Sequence, residues 1–342
     1  MMQKLRIFSK SSITNSKAVR KRNAHPLANP KLTRLQPCDG KFHTMFKKQI
    51  FLLYTLLLGM HLWAADWPNW RGPTFDGISK ESGWTLSNAE IKWRTKVGIG
   101  FSSMAVADER VYTMGHNGLK KDGRETVHCL DAATGSIIWT DNYPSSLLAH
   151  LHEGGPCATP TVHEARVYTI SKNGRLKCYG AATGRVHWER DMMKAAGMNK
   201  PPEWGFSGSP YILGNKLLIE GAHTFALDKS TGKEIWRSKR YRHAYGSMVS
   251  FRQGNRTLIA TLKTDGLVIL DASDGSTIAF SKWETSFRTN STTPIILPDN
   301  RIFISTGYRR GCALLELSGG ELKILWENRS LSNHMNNSVI LG

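Results

Sequence analysis

The chain has 342 residues, with 31 Gly, 11 Trp and a formal net charge of +19. The length suits one large domain or two ordinary ones, and this much Gly with Trp fits many short strands joined by regular turns. The charge first suggests nucleic acid. However, residues 1–65 carry 12 Lys/Arg against one acidic residue, Asp39, a net +11 that leaves only +8 spread over the rest. With no helix-turn-helix, RNP or zinc-finger pattern, nucleic acid is set aside as a partner.

Residues 1–44 are basic, Ser/Asn-rich and without apolar periodicity, and read as disordered. A second start follows, Met45-Phe46-Lys47-Lys48. It leads into the apolar run Ile50–Met60 and ends on His61-Leu62-Trp63-Ala64-Ala65. A charged start, an apolar run and a small-residue end make a secretory signal over 45–65. The run is short of the ~20 residues a span needs, so an uncleaved anchor is the alternative and no stable membrane span is expected after cleavage. Translation starting at Met45 would make 1–44 an over-called start. No Cys follows the run, which argues against a lipid anchor. A periplasmic or secreted protein is expected from residue 66 onward.

From there the chain repeats. Trp93, Trp139, Trp188, Trp236 and Trp326 each follow a Gly-containing turn, at steps of 46, 49, 48 and 90, with Phe280 near the middle of the double step. A period near 47 lies at the upper end of the propeller-blade range. The turn recurs as Asp131-Ala132-Ala133-Thr134-Gly135 before Trp139, Ala181-Ala182-Thr183-Gly184 before Trp188 and Asp228-Lys229-Ser230-Thr231-Gly232 before Trp236. It returns as Asp271-Ala272-Ser273-Asp274-Gly275 and, degenerate, as Ser318-Gly319-Gly320 ahead of Trp326. Asp and Thr side chains bond backbone N–H groups inside such a turn, and Gly accepts positive φ. The Trp then leaves the outer strand and packs on the next blade. A small-residue innermost strand recurs as Ser102–Val106, Ala158–Val162, Ser207–Tyr211, Ser291–Ile295 and Asn336–Ile340. The expected fold is all-β, a β-propeller of four-stranded blades over 66–342. Because the Trp follows Gly by four residues, or six in the last copy, a WD-type repeat is rejected.

The turns and their Trp resemble the pyrroloquinoline-quinone repeat, roughly A-x-D-x-x-T-G-x-x-x-W. The opening Trp67-Pro68-Asn69-Trp70-Arg71-Gly72-Pro73 with Asp76-Gly77-Ile78-Ser79 resembles an exported "PQQ-binding-like" subset. The resemblance implies eight blades. Five full blades are countable, ending near Trp139, Trp188, Trp236, Phe280 and Trp326, with a sixth begun at Asn336–Leu341, so the expectation is an incomplete propeller lacking further blades at its C-terminal end. Enzymatic members imply a quinone over Ca²⁺, an adjacent-cysteine disulfide and a catalytic Asp. Here Cys129, Cys157, Cys178 and Cys312 are all separate, and no convincing oxygen set for Ca²⁺ stands out. Cys129 and Cys178 hold equivalent places, which reads as strand packing, with an inter-blade disulfide as the alternative.

Segments ahead of each innermost strand should ring one mouth of the channel. They carry His152 and Glu153, Trp204, Tyr245, Arg288 and Asn290, and His334 and Asn336, a polar and aromatic set of the kind ligand sites use. Solvated loops and inter-blade bonds are the plainer reading. Trp67, Trp70 and Arg71 fit packing of an N-terminal strand better than ligand contact. The leading function is an exported, non-catalytic binding or scaffold propeller for a protein or a polymer such as a polysaccharide, with no cofactor. The runner-up is a quinone-dependent (PQQ with calcium) alcohol dehydrogenase of the polyvinyl-alcohol type.

Overall fold

The computed structural model describes residues 65–341 except Trp84, Leu86, Asn88, His150, Leu151 and Ala244. The expectations for the basic segment 1–44 and for 45–64 of the signal lie outside these residues. Five antiparallel four-stranded meanders follow one another in a compact unit formed by residues 66–82 and 89–341. Blade 1 is β1 (Ala105–Ala107), β2 (Arg110–His116), β3 (Arg124–Asp131) and β4 (Ile137–Pro144). Blade 2 is β5 (Thr161–His163), β6 (Arg166–Ile170), β7 (Arg175–Gly180) and β8 (Val186–Asp191), followed by one helical turn, α1 (Met192–Ala195). Blade 3 is β9 (Tyr211–Leu213), β10 (Lys216–Glu220), β11 (Thr224–Asp228) and β12 (Glu234–Arg237). Blade 4 is β13 (Val249–Gln253), β14 (Arg256–Leu262), β15 (Gly266–Asp271) and β16 (Thr277–Lys282). Blade 5 is β17 (Ile295–Leu297), β18 (Arg301–Thr306), β19 (Gly311–Ser318) and β20 (Glu321–Asn328). This is a β-propeller architecture.

The core lies between blades. Strand side chains alternate faces, so Leu217 and Ile219 of β10 join the cluster shared with blade 2, while Leu218 between them joins the one shared with blade 4. Both faces are apolar, which is why the middle strands read as nearly continuous hydrophobic runs.

The Trp and the Gly turn act as one joint between blades. A Cβ on Gly135 would stand 2.3 Å from the Trp93 ring, on Gly184 2.7 Å from Trp139, on Gly232 2.6 Å from Trp188 and on Gly275 2.4 Å from Trp236. The indole N–H of Trp93, Trp139, Trp188 and Trp236 donates to the carbonyl of Ala132, Ala181, Lys229 and Ala272, at 3.0, 2.8, 3.2 and 3.3 Å. Asp131 and Asp228 organise their turns by accepting from the N–H and hydroxyl of Thr134 and Thr231 at 2.8–2.9 Å. Asp271 does so with Ser273.

Three expectations need correction. Phe280 is not the Trp equivalent: the β-bulge beside Ile269 puts Ala279 there, buried, while Phe280 points outward and stacks on Tyr241 at 6.5 Å. The blade 4–blade 5 joint therefore lacks the Trp, and the degenerate turn at Gly320 lacks the tight contact a Trp would make. Trp326 holds the repeat position opposite Leu314, yet it stays 43% exposed and rests on Phe303 within its own blade, because no turn from a following blade meets it among the described residues. Asn336–Leu341 is not a strand, and the other small-residue tracts sit mostly ahead of their strands. Their role is a collar: Thr159 N–H donates to Ser209 Oγ and Ser209 N–H to Ser247 Oγ, both at 3.0 Å, and Thr293 N–H donates to Asn337 Oδ1 at 2.6 Å. Short hydroxyl residues let adjacent backbones approach and satisfy the amides that a Pro-containing tract cannot pair by itself.

The segment from Trp67 to Ile78 crosses the inner edges of the blades. Trp67 exchanges both backbone bonds with Val106 of β1, Pro68 O accepts from Val162 N of β5 at 2.7 Å, and Phe75 packs 4.5 Å from Tyr211 of β9. Gly72, at φ 76°, lies against the Trp67 indole where any Cβ would clash. Arg71 donates to the carbonyls of Phe75, Asp76 and Ser338 at 2.8, 2.8 and 3.0 Å, so its role here is packing and bracing. Covering inner edges in this way protects them from stray pairing.

Candidate functional site

The loops that enter each blade, with the β18–β19 hairpin, place aromatic rings along one side of the propeller. From blade 1 comes Phe101, edge-on to His152 at 5.0 Å, and His152 stacks on Trp204 at 5.1 Å. Farther round, His243 meets Tyr245 edge-on at 5.3 Å, with Nε2 3.2 Å from the phenol oxygen. Phe287 packs on Tyr308 at 4.6 Å, and His334 closes on Tyr308 at 4.5 Å. Loops from all five blades thus contribute to this belt, which brings together His152, Trp204, Tyr245 and His334 from the expected set.

The remaining expected residues separate. Glu153, Arg288 and Asn336 are exposed on the same loops without joining a ring pair. Asn290 is not ligand-facing: it is fully buried, and its amide donates to the carbonyls of Lys263 and Trp283 at 2.7 and 3.0 Å. Its backbone carbonyl accepts from Tyr245 N at 3.0 Å, which sets that ring in place. The sequence reading missed Phe101, Phe287 and Tyr308. Phe287 stands directly before Arg288, and Tyr308-Arg309-Arg310 is a visible aromatic-basic run between two strands.

Two of the belt's titrating groups are moved away from neutral pH. Burial, then the nearby Lys263, pushes His243 down to about 4, so it is neutral in ordinary conditions. Burial pushes the Tyr245 phenol up to about 12. A catalytic acid or base works best with a pKa near the operating pH. Away from the belt, Glu125 is pushed up to about 7 by burial but is fully enclosed between blades 1 and 2, accepting from Lys172 N–H at 3.2 Å. Burial also lowers Lys172.

A quinone held over Ca²⁺ does not fit these residues. Ca²⁺ takes 6–8 oxygen ligands, whereas the belt's ring side chains offer imidazoles and the two phenols of Tyr245 and Tyr308. Among the described residues no three of His, Cys, Asp and Glu come together as a metal-binding group. Cys129, Cys157, Cys178 and Cys312 are free thiols, so the Cys129–Cys178 bridge is not formed, and burial pushes both of those thiols up to about 11.

The family profile described as outer membrane protein assembly factor BamB, a PQQ-type repeat family, matches residues 74–202 and 123–341. The dehydrogenase subunit of the quinone-dependent alcohol dehydrogenase from Gluconobacter oxydans is 32% identical over 121 residues, covering 32% of this chain and 16% of that protein. The match thus spans less than a fifth of that relative's length. Among solved structures, BamB from Moraxella catarrhalis superposes with a TM-score of 0.53 at 18% identity, covering 72% of this chain and 69% of that one. Quinohemoprotein alcohol dehydrogenase from Comamonas testosteroni gives 0.55 at 17% identity, covering 78% and 50%. At such identities the superpositions speak to fold alone. Two overlapping matches that together run from residue 74 to 341, over five four-stranded blades of which the first three carry both the turn and the Trp, mean that this protein belongs to the PQQ-repeat family of the outer membrane assembly factor BamB.

Proposed function

We propose that this chain is an exported binding propeller that performs no chemistry of its own and holds a polymeric ligand across its aromatic mouth. The observation that carries the reading is the belt running from Phe101 through Trp204 and Tyr245 to Tyr308 and His334. Ring faces set by separate blades suit an extended ligand that crosses several blades, because each face can take one repeating unit of a chain. The family supports it, since its members include the assembly factor as well as dehydrogenases. The proposed export rests on the signal-like segment at 45–65, and among the described residues no helix is long and apolar enough to cross a membrane. N-terminal sequencing of native protein should find a start near Asp66, and a native start at Met1 would overturn that part.

Binding is tested by affinity electrophoresis of the purified chain in gels containing soluble polysaccharides. Retardation that weakens in Trp204→Ala and Tyr308→Ala is expected. Mobility unchanged in every polymer would refute the reading. The dehydrogenase alternative predicts that added quinone with Ca²⁺ shifts absorbance and supports dye-linked alcohol oxidation. We expect neither signal, and turnover above the blank would move the assignment to the enzyme.

A further inference from the structure

At the blade 5 end of the mouth, the hairpin between β18 and β19 turns on Tyr308 and Arg309. Both sit in the left-handed region, at φ 56° and 60°, and Arg310 N–H donates to Gly307 O at 3.1 Å. That is the geometry of a type I′ turn, which suits Asn-Gly and not two bulky residues. The same pair of positive φ angles recurs at Asp108-Glu109, Glu164-Ala165 and Asp299-Asn300, so what sets this hairpin apart is the size and chemistry of its two side chains. The turn directs Tyr308 and Arg309 to one wall of a cleft of about 350 Å³, whose other walls are Arg310, Arg329, Ser286 and Glu284. This volume sits at the lower end of the range for small-ligand sites, ~300–1,000 Å³.

The charges in the cleft do not cancel. Arg310 lies 3.4 Å over the Trp283 ring and pairs with Glu327 at 3.2 Å. Glu284 is held by Arg242 at 3.0 Å and Lys282 at 3.5 Å. Arg309 and Arg329 are exposed and have no acidic partner among the described residues. Two unspent guanidiniums therefore face a small cleft, each a fork that fits a carboxylate or sulfate. Beside them Phe287, 70% exposed, backs onto Tyr308. The cleft offers an apolar ring face, a hydroxyl, a carboxylate able to accept from hydroxyls, and two anion forks. A sugar ring bearing an acid group and free hydroxyls uses all four.

A nucleic-acid strand would need positive charge tracking its phosphates along the groove. Elsewhere the belt is built of ring groups, Phe101–His152–Trp204 and His243–Tyr245, with His243 neutral, and the exposed Arg288 directly follows Phe287 at the cleft end. We propose that the Tyr308–Arg309–Arg329 cleft is the anion subsite of the mouth, and that the polymer is an acidic polysaccharide. Its carboxylates or sulfates lie between Arg309 and Arg329 while a sugar ring packs on Tyr308 and Phe287. This rests on the polymer-binding reading above.

The test compares polygalacturonate, a sulfated galactan, a neutral glucan and oligo-dT as ligands for the full chain, by affinity electrophoresis and calorimetry at two salt concentrations. One or both acidic glycans should bind more tightly than the neutral glucan, and which one does identifies the acid group. Arg309→Ala and Arg329→Ala should each weaken that binding about tenfold, the size of one charge-assisted contact, and flatten its salt dependence. Tyr308→Ala should weaken it at both salt concentrations. Far-ultraviolet circular dichroism of each variant confirms folding, and both arginines are exposed. Equal binding of acidic and neutral polymers, untouched by either arginine change, overturns this inference and leaves the polymer reading standing. No binding of any polymer overturns both. Tighter binding of oligo-dT than of either acidic glycan overturns the choice of sugar.

Discussion

If Trp and Gly turn form one joint between blades, their substitutions must couple. Trp139 is a closely packed case. It is 9% exposed, its N–H donates to Ala181 O at 2.8 Å, and its ring lies 6.1 Å from Tyr112 and 5.5 Å from Tyr179. Trp139→Ala removes a buried indole and one of the two side-chain donors to the Ala181 carbonyl, leaving the Tyr112 hydroxyl at 3.2 Å, so it should cost about 3–5 kcal/mol, the range for large aromatic truncations in a core. Gly184→Ala pays twice: its φ of 68° is hostile to a side chain, and the new Cβ would stand 2.7 Å from the indole. With Trp139 already truncated the clash vanishes and only the backbone penalty, on the order of 1 kcal/mol, remains. The two changes together should therefore be less damaging than their sum by roughly 0.5–3 kcal/mol, the coupling expected of residues in contact. Trp326→Ala, at 43% exposure and without an indole acceptor among the described residues, should cost under about 1 kcal/mol. Urea denaturation followed by circular dichroism measures all four variants. Additive losses for Trp139 and Gly184, or a Trp326→Ala loss matching that of Trp139→Ala, would refute the assignment of these residues to a blade-to-blade joint.

Other expectations follow from buried charge and from the N-terminal segment. Lys263 and Glu220 form a direct ion pair at 0% and 1% side-chain exposure, so Lys263→Met alone should cost about 3–5 kcal/mol, while Lys263→Met with Glu220→Leu should recover much of it on denaturant curves. Glu125 has its pKa raised by burial from 4.5 to about 7, so its folded state binds the proton more tightly than the unfolded chain. Its contribution is fully present below pH 4.5 and is lost as pH rises to 7. Glu125→Gln should therefore gain stability relative to the parent across that window, by on the order of 3 kcal/mol in total. A difference that stays flat with pH would show that Glu125 ionises normally. Arg71→Ala removes three side-chain donations to carbonyls and should make chymotrypsin cut the 66–82 segment, after Trp70 or Phe75, faster, with a stability loss of about 1–3 kcal/mol.

The repeat was legible because its signal is local. Asp131, Thr134 and Gly135 satisfy one another within five residues, and a period near 47 then fixes four strands per blade. The same spacing could not tell Ala279 from Phe280, because one β-bulge decides which residue turns inward. Nor could it tell that Trp326 is left exposed, since a Trp in the repeat position looks the same with or without a turn to receive it. For the mouth, residue type alone found His152, Trp204, Tyr245 and His334. It also nominated Asn290, whose amide is spent on inter-blade carbonyls. Phe101, Phe287 and the Tyr308–Arg309 hairpin escaped notice because they are scattered along the chain and meet only once the blades stand side by side. Local turn chemistry and periodicity are written in the order of residues. Which side chains share a face is decided by strand twist, bulges and packing between blades, and those exist only in the folded chain.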